Sequence, residues 1–251
     1  MTSFQRARVR APGRFEMRPI AIFRFSETEG PAYFAQWLDR GALPWQLVAV
    51  DEGAAIPSDA RVFSGIAMMG GPMSVNDALA WIDPLSRLLR EAVADAVPVI
   101  GHCLGGQLLA QALGARVGRA AVPEIGWIDV ESTDAGAQAA WFGGRARFTP
   151  FQWHYDAFDL PAGATRVLTN AFNPNQAYVI DDRHIGFQCH VEMTRDLVET
   201  WCHTGAGDIA APGTPSRQSR DEILHDLPQR VATLQAVADA VYARWAQGLR
   251  R

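Results

Sequence analysis

The chain has 251 residues, 48% of them hydrophobic and 20% charged, a balance that suits one folded domain, with or without an extension. A net charge of −4, with no basic run or basic-aromatic stripe, excludes a long-range pull toward nucleic acid or an anionic membrane. Every apolar stretch is far shorter than the roughly 20 residues a membrane-spanning helix needs.

Residues 1–17 are arginine-rich without an apolar signal core and read as a disordered leader. From residue 18 short apolar runs alternate with longer amphipathic ones. Strands are expected at 19–25, 46–51, 63–69 and 97–100, and helices at 31–40, 83–96 and 104–113, the last stopped by Gly114. Strands alternating with helices predict βαβ units, hence a parallel sheet with helices on both faces. Between residues 116 and 188 six short β-like runs (116–120, 127–131, 147–151, 166–168, 176–180 and 185–188) separated by Gly, Pro and Asn turns predict a small antiparallel extension, followed by a helix at 192–203. Residues 204–217 read as a flexible loop, and 218–251 as a helical extension. Its stripe of Leu224, Leu227, Val231, Leu234, Ala238, Val241 and Trp245 is expected to pack on the domain at 18–203, with a dimer seam as the alternative and Pro228 as a kink or restart. The fold class is therefore α/β, a three-layer sandwich.

Chemistry concentrates in two places. In Val-Pro-Val-Ile-Gly-His-Cys-Leu-Gly-Gly-Gln, residues 97–107, a buried strand runs through Gly101 into Cys103 and then a helix. This is a strand–turn–helix elbow with sulfur where α/β-hydrolases place a serine, and it presents the side chain at the carboxyl end of the sheet. Backbone N–H groups at the helix start favour thiolate over thiol and can hold an oxyanion. A nucleophilic cysteine needs a base, and the base an orienter. Residues 185–192, Ile-Gly-Phe-Gln-Cys-His-Val-Glu, offer both: His190 at a strand end and Glu192 two residues on, leaving the same face of an extended segment. The three cysteines, Cys103, Cys189 and Cys202, lack metal-ligand spacing and fit a reduced, cytoplasmic setting.

Together these residues resemble the class I glutamine amidotransferases, in the form of a stand-alone, guanylate-synthetase-like amidotransferase domain. The nucleophile motif Gly-x-Cys-x-Gly-x-Gln matches Gly101, Cys103, Gly105 and Gln107. The late motif matches Phe187-Gln188-Cys189-His190-Val191-Glu192, with Val191 where the family has Pro. Gly70-Gly71-Pro72 matches the oxyanion segment, and Phe151 to Asp156 is similar to the region lining the substrate pocket. The resemblance covers about residues 18–203 and implies a flavodoxin-like fold with no cofactor or metal.

It also implies roles. Cys103 attacks the γ-carboxamide of glutamine or a γ-glutamyl compound, His190 is its base, and Glu192 orients the base. The N–H groups of Gly71 and Leu104 hold the oxyanion, while Gly70, Gln107, His154, Tyr155 and Asp156 hold the substrate. His154 also stands as a second candidate base; His102, Cys189 and Cys202 read as structural, and residues 124–127 as a pocket-edge turn. Three functions stay open: a glutaminase feeding ammonia to a separate acceptor enzyme, a stand-alone γ-glutamyl peptide hydrolase, and a catalytically silent binding module. No nucleic-acid or membrane partner is expected, and the protein is either a monomer or a homodimer.

Overall fold

A computed structural model describes residues 17–209 and 214–250. The leader at 1–17 thus lies outside the described residues except for Met17, and so do residues 210–213 of the expected loop. The first half forms β1 (Ile20–Arg24), α1 (Ala32–Arg40), β2 (Trp45–Ala49), β3 (Gly65–Met68), α2 (Ile82–Ala94), β4 (Val99–His102) and α3 (Leu104–Ala112). These strands lie parallel in the order β2-β1-β3-β4. Alternation along β1 shows the layering. Ile20 and Ile22 pack into one core with α1, while Ala21 and Phe23 pack into another with α2 and α3. Both faces of the parallel strands are covered, which is why they read as continuous apolar runs.

The second half forms β5 (Val117–Trp127), β6 (Val130–Ser132), α4 (Ala135–Trp141), β7 (Arg147–Phe148), β8 (Phe151–Phe158), β9 (Thr165–Thr169), β10 (Ala177–Ile180) and β11 (His184–Phe187). β11 joins β4 in parallel, and β10, β9, β6 and β7 extend the sheet antiparallel to a total of nine strands. The result is the flavodoxin-like sandwich with an antiparallel extension. β5 and β8 form a separate two-stranded ribbon.

Several boundaries differ from expectation. The run at 127–131 is divided between β6 and the end of β5, and the run at 116–120 extends to Trp127 as one long strand, β5, whose register against β8 shifts between Arg119 and Glu124. Pro123, with no N–H to donate, lies in that gap. α4 has no apolar stripe to announce it, and is started by Asp134, whose side chain accepts from Ala137 N at 2.7 Å. The helix expected at 192–203 begins later, as α5 (Arg195–Thr204), because Thr194 caps it by accepting from Leu197 N. Glu192 therefore precedes the helix.

A helical turn, α6 (Ala206–Ile209), falls inside the stretch read as a loop, and Gln218 donates to and accepts from the Trp127 backbone. Ser219 and Glu222 form a capping box for α7 (Arg220–Leu224). α8 (Leu227–Ala246) restarts with Pro228 in its first turn. Its stripe is buried in the core that also holds α1, with Phe34 meeting Tyr242 and Trp245 edge-on at 4.8 and 5.6 Å. Among the described residues no helix is long and apolar enough to cross a membrane.

His184, at the start of β11, is buried, and its Nδ1 accepts from Val99 N at 3.2 Å. Burial first, and then Arg183, lower its pKa to about 4. The unfolded chain, with a histidine pKa near 6.5, then binds the extra proton, so this contribution is complete above about pH 6.5 and lost as pH falls toward 4. Wild type is expected to lose about 3 kcal/mol more than His184→Asn between pH 7 and 4. Denaturant unfolding of both proteins at the two pH values measures the difference. Equal losses would remove His184 as the cause.

Candidate active site

Cys103 sits between β4 and α3 with φ +50° and ψ −107°, a left-handed backbone that a non-glycine residue holds only when its surroundings impose it. Three glycines impose it. A Cβ at Gly101 would collide with the backbone of Gly105 and Gly106, one at Gly105 would lie 2.5 Å from the Met68 carbonyl, and one at Gly106 would meet the Phe187 carbonyl. Strand, turn and helix can approach this closely only without side chains. The elbow leaves Cys103 6% exposed, at the wall of a cavity of about 430 Å³. Gly71 borders the same cavity, and a Cβ there would lie 2.6 Å from the Leu104 side chain, so the two residues adjoin. Neither of their N–H groups finds an acceptor among the described residues.

His190 reaches this edge because β11 is the parallel neighbour of β4, with Phe187 opposite His102. Its backbone is pinned to Phe151 by two hydrogen bonds, 2.8 and 3.2 Å. Nδ1 lies 2.6 Å from Glu192 Oε1 in a hydrogen bond, and Trp201 meets the ring edge-on at 4.7 Å. Burial opposes the imidazolium, but Glu192 and Cys103 outweigh it and raise the pKa well above the ordinary value. Burial likewise opposes ionisation of Glu192; His102 and His190 hold its pKa down to about 2. His102 is itself lowered by burial. Nε2 of His190 is buried without a hydrogen-bond partner among the described residues. Such contacts are often open in the absence of substrate.

The ribbon adds Arg119 and the four residues from Trp153 to Asp156 to the cavity wall. Gln107 Nε2 donates to the Asp156 carbonyl and to Gln188 Oε1, both at 3.2 Å, and Asp156 accepts from Ser74 Oγ at 3.0 Å. Tyr155 is pushed up to about 12 by burial and a hydrogen bond with Asp208. His154 Nδ1 lies 3.1 Å from the Asp156 carbonyl, and Nε2 lies 3.1 Å from Glu124 Oε2. Glu124 is no edge turn. It is a fully buried strand residue that also accepts from Asn170 and Gln176, at 2.5 and 2.8 Å. Gly70 lies behind the cavity wall, against the His190 ring and Glu29. Cys189 and Cys202 are completely buried. Among the described residues no cluster of His, Cys, Asp and Glu is arranged to hold a metal ion.

Two residues escaped the sequence reading. Gln188 Nε2 lies 3.8 Å from Cys103 Sγ. Glu29, in the loop after β1, lines the cavity beside Gly70 and the His190 ring. The rule that open α/β sheets bind ligands beyond the carboxyl ends of their strands pointed to that loop.

A family model described as glutamine amidotransferase class-I matches residues 39–199. The chain is similar to the crystal structure of a glutamine amido transferase from Methylobacillus flagellatus, at 45% identity and a TM-score of 0.92, over 94% of this chain and 97% of that one. It is 33% identical over 192 residues to the glutamine amidotransferase-like protein YfeJ of Salmonella typhimurium, covering 73% of this chain and 79% of the relative. It is 32% identical over 198 residues to the glutamine-hydrolyzing GMP synthase of Aeropyrum pernix, covering 74% of this chain but 35% of that protein.

The elbow makes a steric prediction. Gly105→Ala, which drives a methyl into the Met68 carbonyl, is expected to cost roughly 1–3 kcal/mol and to slow alkylation of Cys103. Gly118→Ala, whose Cβ would meet nothing nearer than 3.7 Å, is expected to change both by little. Denaturant unfolding and iodoacetamide rates of the two variants make the comparison.

Proposed function

The chain belongs to the class I glutamine amidotransferase family, whose chemistry is hydrolysis of the glutamine amide, and we propose that Cys103, His190 and Glu192 carry out that hydrolysis here through a γ-glutamyl thioester. The observation that supports this reading best is the buried His190–Glu192 hydrogen bond set beside the Cys103 elbow, with the imidazole pKa raised by both partners. Cys103 Sγ attacks the γ-carbonyl carbon as its proton passes to His190. The oxyanion lies between the Gly71 and Leu104 N–H groups. On collapse the C–N bond breaks, and His190 gives its proton to the departing nitrogen. His190 then takes a proton from water, whose oxygen attacks the thioester carbonyl. Glutamate leaves, and the proton returns to Cys103.

Two further readings concern where the nitrogen goes. In one, ammonia passes to a separate acceptor enzyme, as the likeness to a GMP synthase suggests. In the other, the protein stands alone and releases an amine from a γ-glutamyl compound. The likeness covers 97% of the M. flagellatus chain and 79% of the S. typhimurium protein, which leaves little length there for a synthetase in the same chain and agrees with both readings. Tyrosine or cysteine release from γ-glutamyl dipeptides, set against ammonia release from glutamine, separates the two.

Cys103→Ala and His190→Ala are each expected to lower kcat/KM by roughly 10⁴-fold or more, and the double variant by no more than either alone. Glu192→Gln is expected to be milder, about 10²-fold, because the base remains but loses its orienting charge. Steady-state turnover, with mass spectrometry for a glutamyl adduct on Cys103, tests this. An active Cys103→Ala protein would overturn the assignment, and an enzyme that never labels with a diazo-ketone glutamine analogue would favour the silent binding module.

A further inference from the structure

The side chains lining the cavity fall into two groups by their contacts. Ser74, Gln107 and Arg119 converge on Asp156, the side that suits a glutamyl head group. Thr28, Glu29, Trp153 and Trp201 form the other group, in which Trp201 meets the His190 ring and Glu29 lies by Gly70 near it. Trp201 donates from Nε1 to the Thr28 carbonyl at 2.8 Å, and Trp153 and Trp201 meet edge-to-face at 6.1 Å. Because His190 protonates the departing nitrogen, a leaving group must lie on this second side.

Glu29 is the unusual member of that group. Its carboxylate lies over Gly70, against the Cε1 edge of His190, so that a Cβ at Gly70 would strike it. It has no ion-pair or hydrogen-bond partner among the described residues, and burial raises its pKa to about 7, with Glu192 raising it and His190 lowering it. Asp208, at the far end of the same wall, is already engaged by Trp153 Nε1 at 3.2 Å and by Tyr155. The cations Arg119 and Arg217 lie over the Tyr155 ring, not beside Glu29. An unpaired carboxylate that lines the same cavity as two indole rings suits a ligand ammonium, which gains both the charge and the aromatic faces. Ammonia released from glutamine would leave the outer wall, Trp153, Thr204 and Gly205, without a ligand to touch.

We propose that Glu29, which lines the cavity together with Trp153 and Trp201, is a specificity-determining residue of a leaving-group subsite, and that the substrate is a γ-glutamyl amide of an alkyl diamine whose free end is an ammonium. This rests on the thioester reading above. The C–N bond to the γ-glutamyl group breaks as the C–S bond forms, His190 supplies the proton to the departing nitrogen, and the diamine leaves with its distal charge against Glu29.

The test compares mono-γ-glutamyl butanediamine with γ-glutamyl pentylamine, which differ only in an ammonium replaced by a methyl. The wild-type kcat/KM ratio is expected to favour the diamine amide by about tenfold or more, and Glu29→Gln to collapse that ratio toward one. Glu29→Asp, which keeps the charge on a shorter arm, should retain part of it. A wild-type ratio near one would overturn the proposal without any variant. So would a high ratio that Glu29→Gln leaves intact, or an equal loss for both amides, which would place Glu29 in the proton transfer instead. Loss of turnover for both amides and for glutamine, with no labelling of Cys103 by the diazo-ketone analogue, would instead sink the thioester reading beneath it.

Discussion

The parallel pairing of β11 with β4 is the constraint on which everything else depends. It sets Gly186 opposite Gly101 and Phe187 opposite His102, so two segments some 85 residues apart end at one sheet edge. The register is fixed by shape. A Cβ at Gly106 would strike the Phe187 carbonyl, a Cβ at Gly186 would strike the Tyr178 ring, and the Tyr178 hydroxyl donates to the Gly106 carbonyl at 2.8 Å. Because side chains alternate, a slip of one residue would exchange the two faces of a strand buried on both, and would carry His190 away from Cys103. The proposed catalytic geometry is thus a consequence of sheet packing.

The polar contacts add a second constraint. Glu192 lies between two imidazoles, its Oε1 hydrogen-bonded to His190 and its Oε2 3.9 Å from His102 Nε2. The Glu192 carbonyl accepts from Tyr33 N, which ties the segment to the start of α1. Burying a carboxylate and an imidazolium is a poor way to gain stability, because desolvation consumes most of the attraction. What the arrangement supplies is a fixed tautomer and a raised imidazole pKa at one place, in a core otherwise filled by Phe34, Phe187 and Tyr242 around His102.

Much of this was legible in the sequence, and the rest was not for identifiable reasons. β1 to α3 could be read because each strand is apolar throughout and each helix amphipathic, so period and length agree. The Gly-x-Cys-x-Gly spacing gave away the elbow because close backbone approach leaves few other choices of residue. The ribbon was harder. β5 straddles Pro123 and a shifted register, and β8 has the mixed burial of a strand whose one face lines a cavity. Glu124 looked like a turn residue because its partners come from far along the chain, His154 from β8 and Asn170 and Gln176 from the connection between β9 and β10. Glu29 was invisible because one acidic residue in a loop carries no pattern, and the approach of Gln188 to the sulfur exists only once β4 and β11 are neighbours.

The structure buries two histidine–carboxylate pairs, and geometry argues for which one serves the thiol. His154 Nδ1 lies 3.1 Å from the Asp156 carbonyl of its own strand, Nε2 lies 3.1 Å from Glu124 Oε2 without making a hydrogen bond, and Glu124 is itself engaged by two amides. His190 has one nitrogen held by Glu192 and the other without a partner, in an environment whose charge Cys103 helps to set. A base must have a free nitrogen and an orienter on the opposite one. Of the two rings, His190 is the one whose Nδ1 is held by a carboxylate in a hydrogen bond, and its strand, not the ribbon, is the neighbour of the cysteine's own.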